Sequence, residues 1–155
     1  YYGQFAFIPT LEPSSQQEAY DLPFYAFELS EKYKIPVLVR MTTRLSHSRA
    51  DIETREPVAE SILQLPANLQ QFVLLPAISR RNYAALLKKQ ADFEAEAETS
   101  FLNRYEDGSD TSLGIIACGL AYNYLMENFP EGCPHPVLKI VGKVVPSTVP
   151  NGPNR

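Results

Sequence analysis

A mixed α/β fold, with one parallel strand–helix–strand unit in each half, is predicted by three observations. An amphipathic repeat between Ala19 and Tyr33 is flanked by two short apolar stretches, Phe5–Ile8 and Val37–Met41. After a turn cluster at Glu106-Asp-Gly-Ser-Asp110 the same order returns, with Leu113–Cys118, Leu120–Phe129 and Val137–Val141. Of the 155 residues, 45% are apolar and 21% charged, which suffices for a packed core. Strands joined through a helix in this way run parallel by a right-handed crossover.

Phe5–Ile8 reads as a strand that stops at Pro9. A helix start follows: Ser14 has Gln17 three residues on, and Ser15 has Glu18, so either pair can form a reciprocal capping box. Ala19, Leu22, Ala26, Leu29 and Tyr33 then mark one helix face. Pro23 lacks a backbone donor, so it should kink the helix or mark its true start. Pro36 pushes Ile35 out of the helical region, and Val37–Met41 becomes a buried strand parallel to the first.

The middle is less regular. Asp51, Glu53 and Glu56 interleave with Arg49 and Arg55, the pattern of a solvated surface. Residues 60–76 read as a long connection in which Phe72–Leu75 is a short strand or an apolar anchor. Ser79 is a candidate N-cap for a helix over Arg80–Glu98, with Tyr83, Leu86, Leu87 and Ala91 on one face. Glu94, Glu96 and Glu98 oppose the dipole of its last turns and read as solvated. Residues 103–111 form the best boundary between the halves, and Gly119 supplies a tight turn into the second helix. The proline-rich end after Pro130 is expected to be extended or loose.

Composition excludes several function classes. Fourteen Lys and Arg against 18 Asp and Glu leave a net charge of −4, which gives no basic footprint for nucleic acid. No apolar run has the length of a membrane span. Two cysteines, Cys118 and Cys133, cannot build a four-thiolate cluster, and with two histidines no local metal site is expected. Cys118 reads as a buried inert thiol, and Cys133 with His135 is too small a set for a metal.

The candidate site is the run Thr42-Thr-Arg-Leu-Ser-His-Ser-Arg49, directly after a strand. Ligands of open α/β sheets sit outside the carboxyl ends of the strands. Arg44 and Arg49 suit a carboxylate or phosphate, with Thr42, Thr43, Ser46 and His47 beside them. The competing reading is a polar loop whose hydroxyls cap the following backbone. The turn at Gly119 lacks the full Gly-rich dinucleotide fingerprint and is read as structural, although a helix N-terminus there suits an anion.

Glu12-Pro-Ser-Ser-Gln-Gln-Glu18, Tyr25–Arg40 and Met41–Arg49 together resemble the α subunit of indolepyruvate ferredoxin oxidoreductases. The likeness is strongest over residues 1–50, with Thr42–Arg49 its most specific part. It weakens from 60 to 105 apart from Phe72–Ala77, and returns at Leu113–Asn128 and Val137–Ile140. From Lys143 onward, Val144-Val-Pro-Ser-Thr148 departs from the family's aromatic-Pro-Leu-Pro stretch. The resemblance implies an internal piece of a longer subunit: residues 1–60 end a pyrimidine-binding thiamine domain, 61–108 link, and 109–150 begin a transketolase C-terminal-like domain. It also implies a cytoplasmic enzyme that oxidatively decarboxylates aryl 2-oxoacids to acyl-coenzyme A, with ferredoxin as acceptor. Thiamine diphosphate, Mg and Fe–S clusters would be held by the intact enzyme and none by this chain alone. The activating carboxylate would lie upstream of Tyr1, and the diphosphate, magnesium and Fe–S domains downstream of Arg155. A β subunit and ferredoxin are the implied partners, and the loop Thr42–Arg49 becomes a substrate or subunit-interface element. The isolated chain is expected to be inactive and to self-associate through an open sheet edge. The alternatives are a related pyruvate or 2-oxoglutarate enzyme, or a non-catalytic α/β assembly module.

Overall fold

The computed structural model describes residues 2–60, 62 and 64–143. The proline-rich end beyond Lys143 lies outside the described residues. Two three-stranded sheets organise the chain, one with residues 38–39, 10–11 and 142–143 side by side in that order and the other with 104–106, 137–140 and 115–118.

The chain opens with helix α1, Tyr2–Ala6, where a strand over Phe5–Ile8 was expected. Phe7 adopts a left-handed backbone with φ of 56°, and the Ile8 amide donates to the Gly3 carbonyl at 3.1 Å. That closes the turn as a helix C-terminus, so the apolar run is spent on a helix end. The strand follows Pro9, as β1, Thr10–Leu11.

Helix α2 spans Gln16–Tyr33. Of the two capping pairs, Ser15 with Glu18 forms: the Glu18 amide donates to Ser15 Oγ at 3.2 Å. The Glu18 carboxylate reaches back past Ser15 to the amide of Ser14, at 2.7 Å. The helix runs through Pro23 and starts seven residues before it, so Pro23 does not mark its start. Leu22, Ala26 and Leu29 are its buried face. Lys34 ends it with φ of 53°, and strand β2, Leu38–Val39, lies parallel to β1 with Thr10 opposite Leu38. The first strand–helix–strand unit therefore forms, with shorter strands than expected.

After a one-turn helix α3, Thr43–Ser46, the described residues form no helix or strand until α4, Pro76–Lys88. Phe72–Leu75 is neither a strand nor an anchor: Phe72 is 63% exposed and Leu74 87%. Helix α4 begins at Pro76 and not at Ser79, because Pro at the first helical position has no amide to leave unpaired. At Lys89 it gives way to α5, Gln90–Thr99, so the single helix expected over 80–98 is two. Phe93 of α5 is buried edge-on against Tyr33 at 5.0 Å.

Strand β3, Arg104–Glu106, lies in the expected boundary 103–111, just before the turn cluster, where no strand is expected from the sequence. It pairs antiparallel with β5, Val137–Ile140. Strand β4, Ile115–Cys118, pairs parallel with β5 across helix α6, Leu120–Glu127, completing the second expected unit. One residue, Val141, then separates β5 from β6, Gly142–Lys143, which pairs antiparallel with β1 in the other sheet. Val141 joins Leu11, Leu22 and Ala26 in the core, so the second half ends inside the first. Asn103 holds this crossing: its Oδ1 accepts from the amides of Val141 and Gly142 at 3.0 and 3.1 Å. Its Nδ2 donates to the carbonyls of Gly142 and Ala97.

Candidate functional site

The loop Thr42–Arg49 stands at the carboxyl end of β2, as the sequence predicts. Thr42 caps α3, accepting from the Leu45 amide at 3.4 Å, and Ser46 Oγ donates to the Thr42 carbonyl at 3.1 Å. Ser48 Oγ donates to the Leu45 carbonyl and accepts from Gln16. Leu45 is buried beneath. His47 terminates the turn with its backbone, and Thr43, His47 and Arg49 are exposed. Thr42, Ser46 and Ser48 thus cap local backbone, as the competing reading holds.

Arg44 points across to the other half. Its guanidinium donates to Tyr124 Oη at 2.5 Å and stands 5.0 Å from the centre of that ring. Tyr124 lies on α6, behind the strand end at Gly119. Arg40, next after β2, pairs with Glu12, next after β1. The Glu12 carboxylate lies over Gly119: a β-carbon there would come within 2.4 Å of Glu12 Oε1. Gly119 also takes φ of 53°, a conformation that side chains resist. The expected tight turn and close packing at Gly119 are therefore both present, and the packed group is Glu12.

A second polar line runs below. Lys139, only 5% exposed on β5, pairs with Glu18 and lies 4.5 Å from the centre of the Tyr122 ring. Burial raises the Glu18 carboxyl, but the Lys139 ammonium and the Ser14 backbone and side chain outweigh it and hold the pKa below the ordinary value. Asn123 Nδ2 donates to the Ser14 carbonyl at 2.6 Å. Tyr122 Oη donates to Glu106 at 2.7 Å and accepts from Arg104 at 3.1 Å. Burial, then the Glu106 carboxylate, push the Tyr122 phenol up.

Glu96, expected to be solvated, instead gathers Lys32 at 2.5 Å, Tyr33 at 2.9 Å and Tyr25 at 3.3 Å. The Lys32 ammonium, against some opposing burial, holds its carboxyl below the usual range.

The carboxyl ends of β1, β2 and β4 therefore converge with their following loops, and Glu12, Arg40, Arg44, Gly119 and Tyr124 form one charged rim. Sequence reasoning found Arg44 and Gly119 but missed Glu12, Glu18 and Lys139 as partners across the halves. One signal was present: Lys139 is a lone charge in the apolar strand Val-Leu-Lys-Ile. Cys118 and Cys133 are half-buried free thiols. Among the described residues no group of three His, Cys, Asp or Glu is placed to hold a metal.

A parallel-unit α/β protein with a charged rim at its strand ends is the class that fold and site define. No family model matches the chain. It is 43% identical to indolepyruvate oxidoreductase subunit IorA of Methanothermobacter marburgensis, over 90% of this chain and 23% of that subunit. It is 42% identical to the IorA subunit of Pyrococcus horikoshii over 81% of the chain, and 40% identical to that of Archaeoglobus fulgidus over 82%. The chain spans about a fifth to a quarter of the length of these curated relatives. Over its own length it belongs to the indolepyruvate oxidoreductase IorA family.

Proposed function

We propose that this chain is part of the α subunit of an indolepyruvate:ferredoxin oxidoreductase. The intact enzyme converts an aryl 2-oxoacid and coenzyme A to acyl-coenzyme A and carbon dioxide, passing the electrons to ferredoxin. The supporting observation is 39–43% identity to IorA subunits across 81–90% of the chain. Residues 1–60 close a pyrimidine-binding thiamine domain, 61–108 link, and 109–150 belong to a transketolase C-terminal-like domain. Thiamine diphosphate with Mg supplies the carbanion chemistry when bound, and Fe–S clusters carry the electrons. We place their binding residues in parts of the subunit outside this chain; among the described residues no group of three His, Cys, Asp or Glu could hold a metal. A β subunit and ferredoxin complete the cytoplasmic assembly. No described helix is long and apolar enough to cross a membrane.

The role of this chain is to shape the rim at the strand ends. Arg44, seated on Tyr124, fixes the loop Thr42–Arg49 against α6, leaving Arg49 and His47 exposed on its outer side. An anionic substrate or an adjoining domain meets that side.

The test is reduction of ferredoxin by the full-length enzyme with its partner subunit, using indolepyruvate, pyruvate and 2-oxoglutarate in turn. Coenzyme A-dependent reduction with the highest kcat/KM for indolepyruvate is expected. Preference for pyruvate or 2-oxoglutarate overturns the substrate, and no reduction with any of the three overturns the reaction. Calorimetric titration of the 155-residue chain with thiamine diphosphate and magnesium should show no binding. Micromolar binding would move the cofactor site into this chain.

A further inference from the structure

Between Leu69 and Leu87 several large apolar side chains face outward. Leu69 is 71% exposed, Phe72 63% and Leu74 87%, and Leu75, Tyr83 and Leu87 are exposed beside them. Tyr83 and Phe72 also line an open groove of about 410 Å³ whose other walls include Ile8, Ile35 and Leu86. Scattered exposed apolar side chains are ordinary, but a run of large ones beside an apolar groove marks a contact surface.

This stretch is not a slack tether. Its approach is fastened to α2: Arg55 pairs with Asp21 at 2.8 Å, and the Glu53 amide donates to Gln17 at 2.8 Å. Its exit is fastened too, where Lys89 donates to the Tyr33 carbonyl and Gln90 to the Phe7 carbonyl. Within it, Asn82 Nδ2 donates to the Gln71 carbonyl at 2.9 Å, tying the apolar loop to α4. A segment pinned at both ends with its apolar residues outward is a preformed seat.

We propose that the 69–87 seat is covered by another part of its own subunit, through an apolar contact made within one polypeptide. This rests on the reading of the chain as part of a longer subunit. The relatives supply the reason for that occupant: more than three quarters of their length lies outside the matched part. A covering segment on the same polypeptide acts at high effective concentration, so a weak apolar contact is enough to keep the seat covered. A second copy of the subunit and the partner subunit are the competing occupants.

Hydroxyl-radical footprinting of the full-length subunit, read by mass spectrometry, tests this. The oxidation rate of peptides carrying Leu69, Phe72, Leu74 and Leu75 is compared with that of the unfolded subunit. Protection of about ten-fold or more, present without the partner subunit and independent of concentration, is the expected result. Protection near unity overturns the seat. Protection that appears only at high concentration assigns it to a second copy, and protection that needs the partner subunit assigns it there; either overturns the proposal. Ferredoxin reduction is measured on the same preparation. An active enzyme with these peptides unprotected refutes the seat alone, and an inactive one with them protected refutes the enzymatic reading alone.

Discussion

At and below the ends of β1, β2 and β4, charged and polar side chains meet each other; along 69–87, apolar side chains face water. At the rim, Glu12 with Arg40 and Arg44 with Tyr124, and below it Glu18 with Lys139, each join a group to a partner within this chain. Along the seat, Leu69 and Leu74 forgo burial of about 1.5–3 kcal/mol each. The contrast separates what this chain completes by itself from what it offers to something else. Substitutions at the rim should therefore be costly for the chain alone, and substitutions on the seat nearly free.

The largest expected effect breaks the buried ion pair below the rim. Glu18→Gln leaves the Lys139 ammonium buried without its counter-charge, a change expected to cost about 3 kcal/mol in chemical denaturation. Replacing both, as Glu18→Gln with Lys139→Met, should recover most of the loss because no charge is then stranded. The same pair gives a pH dependence. The folded Glu18 carboxyl lies below its unfolded value, so its contribution is present above the unfolded pKa and lost as pH falls through the folded one. Stability of the parent should decline through the acid range, and that of the double variant should decline less. A Glu18→Gln protein within 0.5 kcal/mol of the parent would show that the two halves do not depend on this pair.

Gly119→Ala comes next. The left-handed backbone costs a side chain about 1–2 kcal/mol, and the new methyl group meets the Glu12 carboxylate. A total of about 2–3 kcal/mol is expected, part of it returned by Glu12→Ala. Gly114→Ala is the control, since a β-carbon there has open space and no left-handed backbone to resist it. Equal losses at the two glycines would remove close packing as the reason for Gly119.

Much of this fold was legible because each unit obeys a local rule. The α2 face, the cap at Ser15 and the crossover to β2 follow from spacing, hydroxyls and Pro36. The second unit follows from alternating apolar runs around Gly119. What could not be read depends on distant partners. Phe5–Ile8 has the composition of a strand, but its end is fixed by a bond back to Gly3. Arg104–Glu106 is too short to show a period and runs into the turn cluster at Glu106–Asp110, and it becomes a strand because β5 offers it an edge. Glu96 looks solvated until Lys32, Tyr33 and Tyr25 arrive from α2, more than sixty residues earlier. In the site, the position of Thr42–Arg49 was readable, while the seating of Arg44 on Tyr124 was not, because no local spacing encodes a contact across 80 residues.

Arg44→Ala sharpens the comparison at the outer edge of the rim. An exposed guanidinium on a tyrosine ring is worth about 0.5–1 kcal/mol, and a loss of that size is expected. Arg44→Lys keeps the charge but loses the planar fork, so it should fall between. In the full-length enzyme the KM for the 2-oxoacid should stay unchanged, because the guanidinium is committed to Tyr124. A raised KM with unchanged stability would instead assign Arg44 to the substrate and leave the loop without its anchor.

The smallest expected effect lies on the seat. Leu74→Ser should change the unfolding free energy of the 155-residue chain by less than about 0.5 kcal/mol, since this side chain is already in water. Leu22→Ala, in the core, should cost about 2–5 kcal/mol under the same conditions. Self-association of the isolated chain, read by light scattering, should weaken with Leu74→Ser, because an uncovered apolar face is what draws copies together. If association is unchanged, the open strand edges carry it, and the seat contributes nothing to contact between copies. If Leu74→Ser instead destabilises the chain as strongly as Leu22→Ala, then Leu74 is buried against this chain itself. The apolar stretch would then belong with the rim, as part of what the chain completes alone.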